Sequence, residues 1–483
     1  MEQVPPRPRP PLPAYGPTRP PQPPFRTATS IEDVETAPLK AVPADSPARP
    51  SADPVSPPKN GLSWLRSHAA LGLISILAVY FLTINVSVPW QAAHEDNGNV
   101  FTSAAISHIR YGLEVTKGQD YVDQAAFGTF GPSGAATREQ YFDYYLDGPV
   151  HPVVYGNHPP LLGLTIAGSL LVFGYHFWAV RLVPIAFSLL GLILLYALVG
   201  HLFDLTIARV AAALYATFPM FDYFGRNVAH EAPTLFFALA MLTGYIHWRE
   251  DGRSRWIALM VAATVLGGFY DWPMLYFAPI VFGVDWLVRR RPSATLLLAT
   301  LVPAAVTFVL VLAQIVWAHN GNLASLQDIF LFRVAGGGVE KTTTAIGWLN
   351  TVSAFNSEGF GAWSQLALPV AALFVVGRAS AEGWSARVQL VVICGLWGLS
   401  HLLIFRNGAL YHAYWQFYLL PFYAVVLAWA AVTLVRHFAA VPALRAAALV
   451  FFVFAALSLN LPNIFALFGW GNHPVVPVLD IWR

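Results

Sequence analysis

Five consecutive residues, His94-Glu95-Asp96-Asn97-Gly98, follow a stretch without formal charge: from Ala69 to Ala93 there is no Asp, Glu, Lys or Arg. Carboxylates beside a bilayer core are costly, so two adjacent ones at the mouth of an apolar segment ask for a reason. Sugar transfer to a hydroxyl would supply one. That chemistry needs a carboxylate to orient or deprotonate the acceptor. It also needs positive charge, from a metal or from Arg or Lys, on the leaving phosphate. Adjacent acids point in different directions, so Glu95 or Asp96 could face an acceptor while the other held a metal or an arginine. The plainer reading is a cluster of negative charge near the start of a helix.

Three further polar stretches interrupt apolar sequence. In Tyr155-Gly156-Asn157-His158-Pro159-Pro160 the prolines mark a helix start, and His158 could meet a phosphate or a metal, or simply cap the helix. The stretch from Asp222 to Pro233 carries Arg226, which could grip a phosphate with two parallel hydrogen bonds. It also carries His230 and Glu231, which could ligate a metal; an ordinary solvated loop is the alternative. Between Arg406 and Gln416 the aromatics could be an interfacial belt. Tyr411 and His412 could equally bind a sugar or phosphate, with His412 and Gln416 four apart on one helical face. Asp271-Trp272-Pro273 reads as a turn between apolar helices, with little functional weight.

The elements that must position these residues are membrane helices. Of 483 residues, 56% are hydrophobic and 11% charged, against about a quarter charged in soluble domains. The 16 Trp suit interfacial belts. A net charge of +2 without a basic cluster gives no reason to expect nucleic acid. The single Cys394 excludes an intramolecular disulfide and a cysteine zinc site. There is no phosphate-cradling Gly-rich loop between a strand and a helix, nor a soluble domain large enough for a nucleotide, so a donor would be membrane-borne. The first long apolar run starts near residue 69, and no cleavable signal peptide is expected.

Residues 1–60 form a Pro-rich segment, read as a disordered cytoplasmic tail, with an SH3-type ligand as the alternative. Residues 61–470 predict an all-α polytopic membrane domain of about 11–13 transmembrane helices. The first spans about 69–89, and further apolar runs extend from 160–177 to 443–468. Lys59 and Arg66 before the first span place His94–Gly98 outside. Phe101, Ala105, Ile109 and Gly112 at helical spacing predict an interfacial helix over 99–112, ended by Gly112, in an outer loop of about 90–157. A second outer loop, about 318–362, contains Gly336-Gly337-Gly338 and Glu340-Lys341; 471–483 would be a short outer tail. Arg289-Arg290-Arg291, Arg378, Arg387, Arg436 and Arg445 would be cytoplasmic. Counting spans forward and backward disagrees at residue 157, so one run between 158 and 221 must be a half span or re-entrant.

In order and spacing these pieces resemble the GT-C class of membrane glycosyltransferases, in particular the bacterial proteins related to protein O-mannosyltransferases and the aminoarabinose lipid A transferase. The resemblance covers roughly 69–435. It rests on Glu95-Asp96-Asn97-Gly98 through Ile109-Arg110-Tyr111-Gly112, on His158-Pro159-Pro160-Leu161, on Arg181-Leu182-Val183-Pro184 with one inserted residue, on Glu231-Ala232-Pro233, and on Tyr411-His412 through Leu419-Leu420-Pro421. The family usually has Asp first in the acidic pair, whereas this chain has Glu95 then Asp96, so the choice of base stays open. No sizeable outer C-terminal domain is seen, which weakens an inference to a protein acceptor.

The resemblance implies an inverting glycosyltransferase of the inner membrane, moving a sugar from a polyprenyl-phosphate carrier to a lipid, glycan or protein acceptor at the outer face. Glu95 or Asp96 would activate the hydroxyl. His158, Arg226, Tyr411 and His412 would contact the donor, and Asp96 and Glu231 would hold a divalent metal ion. The 318–362 loop would close over the site. The alternatives are a transporter or lipid flippase using the same acids as an ion relay, against which no repeated half is evident, and a scaffold acting through the Pro-rich tail.

Overall fold

An apolar segment inside a bilayer must satisfy its own backbone hydrogen bonds, and this sequence does so with helices. The computed structural model describes residues 61–90, 95–123, 137–148, 153–335 and 344–469. The Pro-rich tail, His94, Gly336-Gly337-Gly338, Glu340-Lys341 and the C-terminal tail lie outside the described residues.

Helix α1 (Gly61–Leu82) leads through an irregular stretch to α2 (Asp96–Thr116). Helix α2 starts before the expected 99–112 and does not end at Gly112. It kinks there, with Gly112 at φ 73°, a left-handed value that suits a residue without Cβ. Its residues 98–108 are all buried, so this helix is packed into the protein along its first half. A two-residue strand, β1 (Tyr121–Val122), pairs antiparallel with β2 (Val153–Val154), Tyr121 opposite Val154. Between them α3 (Arg138–Asp147) begins with a capping box of Thr137 and Gln140. Arg110 of α2 donates to the Tyr145 carbonyl of α3 at 2.9 Å.

The bundle then runs α4 (Leu161–Phe173), α5 (Phe177–Leu202), α6 (Leu205–Tyr215), α7 (Glu231–Asp251), α8 (Ser254–Tyr270) and α9 (Pro273–Arg289). It continues with α10 (Ala294–Ala318), α11 (Ala324–Ala335), α12 (Ala345–Phe360), α13 (Ala362–Glu382), α14 (Ala386–Ile404), α15 (Ala413–Phe438) and α16 (Pro442–Leu467). Six of these, α5, α10, α13, α14, α15 and α16, are long and apolar enough to cross a membrane. The chain is a largely helical, multi-span membrane protein.

Helices α4 and α6 have 13 and 11 residues, about 20 and 16 Å at 1.5 Å per residue, short of a ~30 Å hydrocarbon core. Both fall between 158 and 221, where the two span counts disagree. The polar connector that follows α6 is not a solvated loop: residues 216–230 are buried throughout.

Two apolar clusters form the core. The larger gathers α5, α6, α7, α14 and α15; the smaller joins α2, α3, α4 and the start of α5. Trp178, Phe187 and Phe237 pack against both. Four arginines collect at one end of the bundle. Arg249 and Arg289 converge on Asp285, Arg387 Nε donates to the Leu202 carbonyl at 2.6 Å, and Arg436 pairs with Asp204 at 2.8 Å. Helix α7 has Arg249 at this end and Glu231 at the other.

Asp204 does two jobs. Its Oδ1 accepts from the backbone N–H of Thr206 (2.8 Å) and Ile207 (3.1 Å), capping α6, and its carboxylate also holds Arg436 of α15. Asp204→Ala should lower stability by about 1 kcal/mol through loss of the cap. Asp204→Ser, which keeps the cap and drops the partly exposed ion pair, should recover most of that in a thermal or denaturant melt. Equal loss in both variants would assign the stability to the ion pair instead.

Candidate functional site

The chain leaving α1 has carbonyls to satisfy at Ile84, Val86 and Val88, and two buried arginines meet them. Arg181 of α5 donates to Val86 and Val88, and Arg226 of the buried connector donates to Ile84. Both guanidinium groups also converge on one oxygen of Glu95, Arg181 at 3.0 Å and Arg226 at 2.8 Å. All three side chains are buried. Arg181 lies 4.2 Å from the Trp90 ring centre, and Arg226 lies 4.7 Å from that of Phe468. Glu95 is thus the counter-ion of two arginines at the N-cap of α2. Asp96, one residue on, is exposed in the first turn, where the helix dipole favours a carboxylate. A side chain at Gly98 would put Cβ 2.3 Å from the Trp90 ring, so the close seat of this turn needs glycine.

The first turns of α2 touch a second polar cluster. Asn97 hydrogen-bonds to Tyr414, and Phe101 meets His230 edge-on at 4.6 Å. His230 stacks on His158 at 4.5 Å, and Tyr155 stacks on the same imidazole at 6.1 Å. His158 Nδ1 is 3.1 Å from Asp271 Oδ1, and Arg333 Nη2 is 3.0 Å from His158 Nε2. A guanidinium only donates, so Nε2 accepts and Nδ1 carries the proton that is donated to Asp271. Burial, and then the charge of Arg333, hold the His158 pKa well below the ordinary 6.5, which keeps the ring in this neutral form. Burial and the neighbouring His158 push His230 down to about 3. Asp271 also accepts from the Trp272 N–H (2.9 Å) and the Tyr418 hydroxyl (3.3 Å). Glu231 opens α7 within electrostatic reach of Asp271, and its Oε2 has no hydrogen-bond partner.

This cluster forms the polar head of a cavity of about 710 Å³. Asn157, His158, Asp271, Arg333 and His401 line the head, Tyr276, Phe405 and Trp415 follow, and Leu301, Ala304, Phe308, Leu312, Leu326 and Phe330 line an apolar body. His401 accepts or donates at Nδ1 with Tyr276, while its Nε2 is buried without a partner. Arg333 sits near the end of α11, which is anchored by Asn407: its side-chain amide donates to the Phe332 carbonyl (2.8 Å) and its backbone N–H to that of Arg333 (3.0 Å). The guanidinium lies 5.8 Å from the Trp415 ring centre.

Of the residues singled out by sequence, His158 lines this cavity, Glu231 lies within electrostatic reach of its Asp271, and Asp96 does not line it. Arg226 does not line it, being turned onto Glu95. Tyr411 is 39% exposed and packs on Phe332, and His412 bonds to the Tyr414 hydroxyl at 2.8 Å beside Trp415; neither lines the cavity. His412 and Gln416 do not share a helical face, because Ala413–Leu419 is a 3₁₀ segment, with three residues per turn rather than 3.6. Gln416 instead faces Asn356 and the Val352 carbonyl. Arg333 and His401 were missed, and Asp271 was read as part of a turn with little functional weight. Asp271 and His401 carried a usable signal, being ionisable groups at the ends of apolar runs. Arg333 had none beyond being one of several charges in the 318–362 segment. Among the described residues, a set of three His, Cys, Asp or Glu ligand atoms close enough for one metal ion occurs at His201, His247 and Glu250, at the arginine-rich end.

Residues 157–317 match the family model described as dolichyl-phosphate-mannose-protein mannosyltransferase, about a third of the chain. No curated protein matches the sequence. Among solved structures, ArnT from Cupriavidus metallidurans bound to undecaprenyl phosphate is similar at TM-score 0.54 and 12% identity, covering 83% of this chain and 76% of that one. The Archaeoglobus fulgidus oligosaccharyltransferase is similar in its apo form (TM-score 0.52, 15% identity, 84% of this chain and 56% of that one). Its form tethered to an acceptor peptide gives TM-score 0.53 and 15% identity, covering 85% and 56%. The chain therefore spans little more than half the length of the archaeal enzyme.

Glu95→Ala would leave two buried guanidinium groups without their anion, at an expected cost of about 3–5 kcal/mol, read from a denaturant melt in detergent. A cost under 1 kcal/mol would show that the backbone carbonyls alone sustain the arginines. The depressed pKa of His158 has its own signature. The unfolded chain binds that proton more readily than the folded one, so the site loses stability as pH falls below about 6.5 and is indifferent to pH above it. Melting temperature against pH should therefore fall more steeply on the acid side in wild type than in His158→Gln; parallel curves would contradict the neutral imidazole.

Proposed function

Taking the GT-C fold, that of polytopic membrane glycosyltransferases, as the premise, we propose that this chain transfers a sugar from a polyprenyl-phosphate carrier to an acceptor hydroxyl at the outer face of the membrane. The observation that carries this reading is the cavity with a cationic head and a long apolar body. An isoprenoid chain needs an apolar trough, and its phosphate needs donors at the trough's mouth. Arg333 supplies them. One of its N–H groups donates to His158, and the others can hold phosphate oxygens in parallel pairs. His158, fixed by Asp271, orients the guanidinium. That the bacterial ArnT structure holds undecaprenyl phosphate supports a carrier of this chemistry.

Asp96 is the acid we assign as base, because Glu95 is consumed by Arg181 and Arg226 while Asp96 is exposed at the start of α2. The acceptor hydroxyl oxygen attacks the anomeric carbon, and its proton passes to Asp96. The bond from anomeric carbon to phosphate oxygen breaks with its electron pair going to the phosphate, where Arg333 offsets the charge. Attack opposite the leaving phosphate inverts the anomeric centre. Glu95 is a positioning residue. With Asp96 engaged as the base, Glu231, with its unpartnered oxygen, would hold a divalent ion if one takes part, and such an ion would neutralise phosphate charge. His412 would act on the donor only indirectly, by packing on Trp415 of the cavity wall, and Tyr411, which packs on Phe332, is left without a donor contact. The arginine-rich end would face the cytoplasm by the positive-inside rule, placing the polar head of the cavity outside. Helix α11 in the 318–362 loop carries Arg333 and would act as a lid.

The test is sugar transfer in proteoliposomes with radiolabelled polyprenyl-phosphate sugars and a membrane extract as acceptor source. Asp96→Asn should reduce turnover by about 10²–10⁴-fold without weakening donor binding, and Arg333→Ala should weaken donor binding. Folded Asp96→Asn protein working at the wild-type rate would overturn the assignment of the base. A donor panel that binds but is never transferred would return the chain to the transporter reading.

A further inference from the structure

A second cluster lies at the opposite end of the bundle and takes no part in the reaction above. We propose that His201, His247 and Glu250 form a binding site for a divalent transition-metal ion of the zinc class. His201 is in the last turn of α5, and His247 and Glu250 are three apart near the end of α7. Glu250 Oε2 is 2.8 Å from His201 Nε2 and 3.4 Å from His247 Nδ1, and all three ligand atoms lie within 4.8 Å of one another. Metal bonds of about 2.0–2.1 Å in a tetrahedron set ligand atoms roughly 3.3 Å apart, so small side-chain rotations would close the shell. Two imidazoles and a carboxylate are a donor set zinc accepts, with one position left for water.

The surroundings hold these ligands ready. The His247 ring stacks on Trp256 at 4.5 Å and 16°, and Trp256 Nε1 donates to Asp251 Oδ2 at 3.0 Å. The stack fixes the imidazole plane, and Nδ1 faces Glu250. The two imidazole centres are 4.4 Å apart over a single carboxylate. Two protonated rings at that distance would repel, whereas one divalent cation satisfies both lone pairs and the carboxylate together. His201 and Glu250 are exposed, so an ion can enter from solvent. Bound there, it would staple the end of α5 to the end of α7, the helix whose first residue is Glu231, and would stabilise the fold by mass action.

The test uses the full-length chain carrying a tag without histidines, purified in detergent, stripped of metal and dialysed against Zn²⁺ or Co²⁺. Wild type should retain about one ion per chain, give the visible bands of low-coordinate Co²⁺, and melt higher with Zn²⁺. His201→Gln and Glu250→Gln should lose all three signals, while His437→Gln, elsewhere on the same end, should keep them. His247→Gln serves should either of the first two fail to fold. An ion content near zero in wild type, or equal binding by the Gln variants, would reduce the cluster to a hydrogen-bonded His–Glu group and overturn the site.

Discussion

One carboxylate shared by two buried arginines organises the entrance to this protein. Glu95 ties together the chain after α1, helix α5 through Arg181, and the buried connector through Arg226. Such an arrangement carries a desolvation cost, and a well-packed apolar substitute would be as stable or more so. What it supplies here is position. Both guanidinium groups also satisfy backbone carbonyls that no helix claims, so the three charges and the three carbonyls are solved together. The first turn of α2 is thereby set beside Trp90, and Asp96 is delivered to the open side of that turn.

The second constraint is the chain of contacts from Asp271 through His158 to Arg333. Each partner fixes the next: the carboxylate selects the tautomer, the tautomer leaves an acceptor, and the acceptor orients the guanidinium. Asn407 holds the backbone from which Arg333 extends. Phe101 and His230 connect this head to α2, so the acid end and the phosphate end of the proposed site share one wall.

The helices were largely legible in the sequence, because charge-free runs bounded by Pro, Gly and Arg leave little choice in a membrane. The expected run at 443–468 and the observed α16 at Pro442–Leu467 agree within a residue. Even the disagreement over span counting pointed to the short helices α4 and α6. The site was less legible. Glu95 and Asp96 read as equivalent acids, and only the approach of Arg181 and Arg226, distant in sequence, separates a counter-ion from an exposed carboxylate. Arg226 looked like a phosphate ligand for the same reason: its residue type fits, and its partner could not be seen. Asp271 looked like a turn, since its partners His158 and Tyr418 lie more than a hundred residues away. The 3₁₀ geometry of Ala413–Leu419 separated His412 from Gln416, because periodicity arguments assume 3.6 residues per turn.

The proposed reaction depends on where a polyprenyl phosphate binds. The most direct measurement is a cryo-electron microscopy structure of the full chain in lipid nanodiscs with undecaprenyl phosphate. Phosphate density is expected within hydrogen-bonding reach of Arg333, with the isoprenoid running past Leu301 and Phe308. Phosphate seated on Arg181 and Arg226 in place of Glu95, or an isoprenoid bound elsewhere with the cavity empty, would contradict that placement.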